Sequence, residues 1–319
     1  MINVLTGDCR AMLPAFQTAT VQCCVTSPPY FGLRDYGDGR QAGLEETPAD
    51  YVAGMVAVFR EVRRILRDDG TLWLNIGDSY HNFRSHLGGG VPTNSVHRGG
   101  SRDGTETFAR ANRGKRLPGL KDKDLIGIPW MLAFALRDDG WWLRSPIVWA
   151  KPNPMVERVR DRPTSSYEMV FLLSKSGSYF FDAEALTERL ADGSTRNGRN
   201  IWTIPTQAGG AGIHFATMPP EVARRCILAG SRVGDTVLDP FSGVGTTGLV
   251  AHRLRRNAEL IELNAGYAEQ AVHRINDDAP LLGWGERHCS TCGDTGFATR
   301  GSGYDAVCPD CGGQSAYTA

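Results

Sequence analysis

Apolar residues along this chain fall into short unbroken runs separated by longer amphipathic stretches. The runs occupy residues 3–6, 21–26, 71–76, 146–149, 169–173, 236–238 and 258–261. Runs of this length without polar alternation are what strands covered on both faces carry. Between them, Val52, Met55, Val56, Phe59, Val62 and Leu66 recur at helical spacing. Thr47 is placed to cap that helix, Pro48 suits its first position, and Gly70 suits the position just past its end. Further helices are expected over 124–137, with an interruption near Pro129, and over 219–229, 246–256 and 265–276. Strands alternating with helices predict an α/β fold of three layers around a mostly parallel sheet.

Two segments break the pattern. Residues 81–119 are rich in Gly, Ser and Arg, and within 84–116 seven basic side chains face two acidic ones, Asp103 and Glu106. Such a stretch reads either as an arm for a phosphate backbone or as a solvated insertion. Residues 186–212 are polar and turn-rich. Over all 319 residues, 35 Lys and Arg balance 35 Asp and Glu, which excludes a uniformly basic nucleic-acid wrapper and confines any polyanion contact to local patches. No apolar run approaches ~18 residues, so no membrane span is expected. The first residues lack the features of a secretory signal, which makes a reducing cytoplasm the expected compartment.

Of eight cysteines, four fall in two CxxC pairs near the end of the chain: Cys289 with Cys292, and Cys308 with Cys311. Two such knuckles separated by 15 residues suit four thiolates around one structural Zn2+, and a segment this short draws most of its folding free energy from the metal. Reducible disulfides or a tail that binds nothing are the alternatives. Cys9, Cys23, Cys24 and Cys226 sit in apolar contexts and are expected to be buried small hydrophobes.

The sharpest local signal is Thr236-Val-Leu-Asp-Pro-Phe-Ser-Gly-Val-Gly-Thr-Thr-Gly248. A strand ends at Asp239, a glycine turn follows, and a helix opens near Thr246. Gly243, Gly245 and Gly248 fit GxGxxG, and Glu262 lies at the end of the next strand, where a carboxylate can accept from ribose hydroxyls. A dinucleotide fold requires several more strands after this unit. Only one strand and one helix follow here, so the rest of the sheet comes from upstream. Upstream, the strand over 21–26 runs into Ser27-Pro28-Pro29-Tyr30. In open α/β sheets ligands sit beyond the carboxyl ends of strands, where both motifs would lie.

A strand-end Ser-Pro-Pro-Tyr paired with a later strand-end Asp-Pro-Phe-Ser-Gly-Val-Gly resembles the S-adenosylmethionine-dependent DNA amino-methyltransferases of the permuted β group. The likeness covers nearly all of residues 2–277. It extends to Thr6-Gly7-Asp8, to 147–154 and 162–168 as segments lining a base pocket, and to 214–220. The resemblance implies a Rossmann-like methyltransferase sheet, circularly permuted, over residues 1–280. The basic insertion at 81–119 and a candidate target-recognition segment at 186–212 fall within it, and the zinc ribbon at 285–315 lies outside the common core. It implies catalytic roles for Ser27, Pro28, Pro29 and Tyr30. Contacts to S-adenosyl-L-methionine are implied for Asp8, Asp239, Phe241, Ser242, Gly243, Gly245, Thr246, Thr247 and Glu262.

Those residue types suit the chemistry. An exocyclic amine is a poor nucleophile because its lone pair is delocalised into the ring. The Ser27 oxygen and the Pro28 carbonyl are acceptors able to pyramidalise it, the prolines stiffen the turn, and Tyr30 offers a stacking face. The target base must leave the duplex. In the family a Ser at the first position usually accompanies cytosine N4 and an Asp or Asn adenine N6. Cytosine N4 in double-stranded DNA is therefore the expected target and adenine N6 the alternative, with a cognate restriction endonuclease as a further partner. The absence of a Pro-Cys dipeptide argues against methylation of cytosine carbon 5. An NAD-dependent oxidoreductase conflicts with the chain order. A catalytically dead DNA-binding adaptor conflicts with the intact motifs.

Overall fold

The computed structural model describes residues 1–33, 38–81, 116–155, 157, 159–190, 192–206 and 218–278, and the backbone of 297–299 and 305–307. Eight strands form one sheet: β1 (Ile2–Thr6), β2 (Val21–Thr26), β3 (Leu66–Ile76), β4 (Trp142–Ala150), β5 (Tyr167–Ser174), β8 (Ile201–Thr203), β9 (Thr236–Asp239) and β10 (Asn257–Glu262). The two-residue strands β6 (Glu188–Arg189) and β7 (Thr195–Arg196) pair as a separate hairpin. The order across the sheet is β1-β10-β9-β2-β3-β5-β4-β8. Every neighbouring pair is parallel except those made by β5, which runs against both β3 and β4. The two chain-terminal parts of this fold are thus stitched together: β1, first in the chain, pairs with β10, and β9 pairs with β2.

Helices α1 (Cys9–Met12), α2 (Pro48–Ile65) and α3 (Ile128–Asp138) cover one face, and α4 (Pro220–Gly230), α5 (Thr246–Arg253) and α6 (Ala265–Asp278) cover the other. The period-2 pleat divides the apolar runs between these two layers. Leu72, Leu74, Phe171 and Leu173 pack toward α2 and α3, while Cys23, Val25, Val170 and Leu172 pack toward α4 and α5. This double covering is why the strand runs read as continuous. Cys9, Cys23, Cys24 and Cys226 are buried free thiols, and burial pushes Cys9 and Cys23 up to about 12.

Several boundaries differ from the sequence expectation for local reasons. Helix α2 does start after a Thr47 cap, which accepts from the Asp50 N–H at 3.1 Å, but it ends at Ile65. Leu66 is already extended and pairs with Val21, so Gly70 lies inside β3, close to a register shift between Val21 and Cys23. Pro129 opens α3 instead of interrupting a longer helix; its missing N–H falls where no intrahelical partner exists. The Asp78 carboxylate, at the end of β3, accepts from the N–H groups of Gly127 and Ile128 and sets that start. Helix α5 stops at Arg253 because Arg255 takes a left-handed φ of 59°.

Among the described residues no helix is long and apolar enough to cross a membrane. Of the basic insertion only His81 and residues 116–119 are described. The four tail cysteines lie outside the described residues, and among the described ones no group of three or more His, Cys, Asp or Glu is placed to hold a metal. The backbone between the two CxxC pairs contains an antiparallel hairpin, β11 (Phe297–Thr299) with β12 (Asp305–Val307).

Candidate active site

At the carboxyl ends of β1, β2, β9 and β10 the chain leaves a crevice that is partly open to solvent. Its walls come from both halves of the sequence: Ser27 and Pro29 after β2, Asp239 to Val244 with Thr246 and Thr247 after β9, Glu262 after β10, and Asp8 after β1. Of the sequence-predicted residues, Pro28, Tyr30 and Gly245 are not among those that line it, although Pro28 and Tyr30 flank the lining residue Pro29.

The glycine turn is held from three directions. Ser242 N–H donates to the Ile261 carbonyl at 3.0 Å, Gly243 N–H to Glu262 Oε2 at 2.8 Å, and the Arg274 guanidinium from α6 to the Val244 carbonyl at 3.2 Å. Gly243 and Gly245 have φ of +54° and +77°, a region L side chains rarely enter. A Cβ at Gly245 would lie 2.7 Å from Ala271 of α6, and one at Gly248 2.3 Å from Leu260 of β10, whereas one at Gly243 would meet open space. The three glycines therefore serve three purposes: approach to the crevice, approach to α6, and approach of α5 to the sheet. Among the described residues Ser242 Oγ is buried without a partner.

Glu262 accepts from Gly243 and, at 2.9 Å, from the Asn264 N–H; burial raises its pKa, and lone pairs remain on both oxygens. Asp239 lines the crevice, yet its carboxylate is committed to protein donors. It accepts from Thr26 Oγ1 at 2.6 Å, Thr247 Oγ1 at 2.7 Å and the Phe241 N–H at 3.1 Å, which clasps the ends of β2 and β9 to the start of α5. Burial pushes Asp239 up to about 6. Asp8 caps α1 and accepts from Arg10 Nη2 at 2.6 Å, and that guanidinium lowers its pKa. An orphaned hydroxyl, an open glycine backbone and a carboxylate with spare lone pairs fit a ligand carrying ribose and amino-acid polar groups.

The tetrapeptide turns away from β2 under tight control. Tyr51, fully buried on α2, donates its hydroxyl to the Pro29 carbonyl at 2.9 Å. Among the described residues no donor reaches the Pro28 carbonyl, which leaves that acceptor available. The Tyr30 ring passes over Gly77, where a Cβ would come within 2.7 Å of Cε2. Its hydroxyl donates to Glu168 Oε2 at 2.6 Å and lies 3.3 Å from Ser27 Oγ. Burial, then the Glu168 charge, raises the Tyr30 pKa well above its ordinary value. Lys151 Nζ sits 2.5 Å from Glu168 Oε1, and Asn75 Nδ2 donates to Oε2 at 3.1 Å.

Tyr51, Asn75, Lys151 and Glu168 were not singled out by sequence reasoning, although the last two fall within segments that the resemblance implicates. Asn75 carried a readable signal, a polar amide in an otherwise apolar strand. The segment at 186–212 divides. The β6–β7 hairpin precedes β8 and so lies toward the end of that strand away from the crevice. Residues 204–206 leave β8 at the crevice end, where Thr206 and Asn153 exchange hydrogen bonds; 207–212 are outside the described residues.

The model of a family described as DNA methylase, the N6/N4 methyltransferases, matches residues 21–273. The chain is 48% identical over 275 residues to the type II methyltransferase M.SmaI of Serratia marcescens, covering 86% of this chain and 90% of that protein. To M.Cfr9I of Citrobacter freundii it is 47% identical over 274 residues, covering 85% and 87%. Among solved structures, a DNA modification methylase of Thermus thermophilus complexed with S-adenosyl-L-methionine superposes with a TM-score of 0.57 at 26% identity, over 88% of this chain and 96% of that one. The PvuII cytosine-N4-specific DNA methyltransferase shares the fold, with a TM-score of 0.62 at 19% identity over 86% and 90%. With its family model spanning most of the chain and its relatives nearly half identical, the protein belongs to the N6/N4 DNA methylase family.

Proposed function

We propose that the protein transfers a methyl group from S-adenosyl-L-methionine to the exocyclic N4 of cytosine at a specific site in double-stranded DNA. One observation carries this reading: Ser27, from the first part of the chain, and the Asp239–Thr247 turn, from the last, line one crevice. The bound cofactor supplies an electrophilic methyl group on sulfonium sulfur. Glu262 is suited to its ribose hydroxyls, and Ser242 Oγ with the open backbone at Gly243 to its polar groups; Phe241, Thr246, Thr247 and Asp8 shape the remaining walls. Gly245 holds the turn in shape from behind, and Asp239 does so from the crevice wall through its hydrogen bonds to Thr26, Thr247 and Phe241. Ser27 Oγ and the Pro28 carbonyl accept the two amine N–H groups of an extruded cytosine, which returns lone-pair density to N4. Pro29 is fixed by Tyr51, and Tyr30 holds Ser27 in place. Rate enhancement then comes from in-line positioning more than from a protein nucleophile.

A serine at the head of the tetrapeptide, in place of an acidic residue, favours cytosine over adenine N6. The type II relatives support a partnership with a restriction endonuclease of the same specificity, acting in the cytoplasm. The basic insertion at 81–119 and the crevice-end part of 186–212 are the proposed DNA-contacting segments. Cys289, Cys292, Cys308 and Cys311 are proposed to hold a structural Zn2+. Their spacing and all-thiolate chemistry suit it, and the β11–β12 hairpin between the two pairs supports it. To test the reaction, labelled cofactor and mixed-sequence DNA are incubated with the full chain and digested to nucleosides. N4-methylcytosine supports the assignment; N6-methyladenine alone, or no transfer, refutes it.

A further inference from the structure

The proposed chemistry leaves one proton unassigned. When the N4–C bond forms, the sulfur–methyl bond breaks with its electron pair staying on sulfur, and the attacking amine is left with one proton too many. The crevice wall contains a directed path for it. The Glu168 carboxylate is surrounded by donors from three elements: Lys151 Nζ from the end of β4 at 2.5 Å, Asn75 Nδ2 from β3 at 3.1 Å, and Tyr30 Oη at 2.6 Å. A carboxylate held by an ammonium and an amide can only accept, and the Tyr30 hydroxyl, which also lies 3.4 Å from Asn75 Oδ1, gives its proton to the much nearer Glu168 Oε2 at 2.6 Å. The Tyr30 oxygen is then left with lone pairs, and Ser27 Oγ, 3.3 Å away, is the donor that faces them. With its own proton so directed, Ser27 presents only lone pairs toward the crevice it lines.

We propose that Glu168, positioned by Lys151 and Asn75, sets the hydrogen-bond direction of the Ser27–Tyr30 pair and receives the proton released by methyl transfer. This rests on the amine-methylation reading above. Before the reaction the chain of donors makes Ser27 an obligate acceptor, the polarity that an amine N–H requires. As the amine becomes cationic, its proton moves to Ser27 Oγ, the Ser27 proton to Tyr30 Oη, and the Tyr30 proton to Glu168 Oε2. The products are the methylated neutral amine, the demethylated cofactor and a protonated Glu168. The Glu168 side chain is 17% exposed, which gives its proton a way to solvent. The Ser27–Tyr30 separation of 3.3 Å is long for an O–H···O bond, so the relay requires it to shorten as the amine proton reaches Ser27. Glu168 does not touch the substrate; it acts through Tyr30 and Ser27.

The test uses the full chain, mixed-sequence double-stranded DNA at saturating concentration and labelled S-adenosyl-L-methionine, with kcat, KM for DNA and equilibrium cofactor binding measured separately. Glu168→Gln keeps the shape but supplies an amide that can donate to Tyr30 and reverse the chain. Its kcat should fall by about 10²-fold, the scale of a lost proton-transfer group, while KM and cofactor affinity change by less than about threefold. Glu168→Asp should recover part of the loss. Tyr30→Phe, which keeps the ring over Gly77 and leaves the Lys151–Glu168 pair intact, should lose kcat to the same degree, so a folding defect in the first variant does not decide the matter. A Glu168→Gln or Tyr30→Phe enzyme turning over within about threefold of wild type overturns the relay while leaving the amine-methylation reading standing. So does a loss confined to KM or cofactor binding. A wild-type protein that forms no methylated exocyclic amine refutes that reading, and the relay with it.

Discussion

Replacing the three glycines of the turn one at a time separates cofactor contact from scaffold. At Gly245 an alanine meets two penalties. Its φ of +77° costs an L residue about 1–2 kcal/mol, and its Cβ would sit 2.7 Å from Ala271 Cβ and 3.2 Å from Ala271 Cα, a helix backbone that cannot step aside, for another ~1–3 kcal/mol. Gly245→Ala should therefore destabilise the protein by about 2–5 kcal/mol, a large share of a typical domain's stability. At Gly248 the contact is 2.3 Å, but with the tip of the Leu260 side chain, and the site is helical. Crowding of about 1–3 kcal/mol is offset by about 1 kcal/mol of helix propensity. At Gly243 only the φ penalty applies, about 1–2 kcal/mol, because nothing lies within 4 Å of the new Cβ. That empty space belongs to the crevice, so the methyl group occupies room the cofactor would use, and affinity should fall at least about tenfold, or ~1.4 kcal/mol. Urea unfolding at constant m gives the stabilities, and equilibrium titration with S-adenosyl-L-methionine gives the affinities. A Gly245→Ala loss below about 1 kcal/mol, or a Gly243→Ala protein that binds cofactor like wild type, would refute this division of roles.

Asp239 predicts a pH signature of stability. Burial raises its pKa from 3.8 to about 6, so the folded state holds this proton more tightly than the unfolded chain does. The contribution is complete below the unfolded pKa near 4 and is lost as pH rises through 6; over that window it amounts to about 3 kcal/mol. Unfolding curves of wild type and Asp239→Asn should diverge by this amount between pH 4 and 7, and parallel pH profiles would dismiss the assignment. Tyr51→Phe removes the donor from the part-buried Pro29 carbonyl, which costs about 1 kcal/mol; it should slow methyl transfer without weakening cofactor binding, and equal turnover would show that the tetrapeptide needs no such anchor. Metal analysis of the purified full chain should return one zinc per molecule, abolished by Cys292→Ser with Cys308→Ser, while the main unfolding transition stays unchanged. Absence of stoichiometric zinc would leave the tail cysteines without the proposed role.

What the sequence made legible was whatever depends on near neighbours. Residues 21–26 read as a buried strand because each of them is covered in the fold, and the glycine turn read as a ligand loop because its geometry is written in Gly243, Gly245 and Gly248 themselves. Chain order alone placed the missing half of the sheet upstream of that turn, and the β9–β2 pairing is where the two halves join. What stayed hidden depends on partners far along the chain. Asp239 read as a cofactor-side residue by position, and it does line the crevice, but that Thr26, 213 residues away, also donates to it was not legible. Glu168 lies 138 residues from Tyr30, and it reaches that hydroxyl because β5 enters the sheet reversed between β3 and β4. Had β5 run parallel, Glu168 at its start would lie at the opposite end of the sheet from Ser27. A single antiparallel insertion into a parallel sheet therefore brings a carboxylate from a strand's beginning to the edge where every neighbouring strand ends.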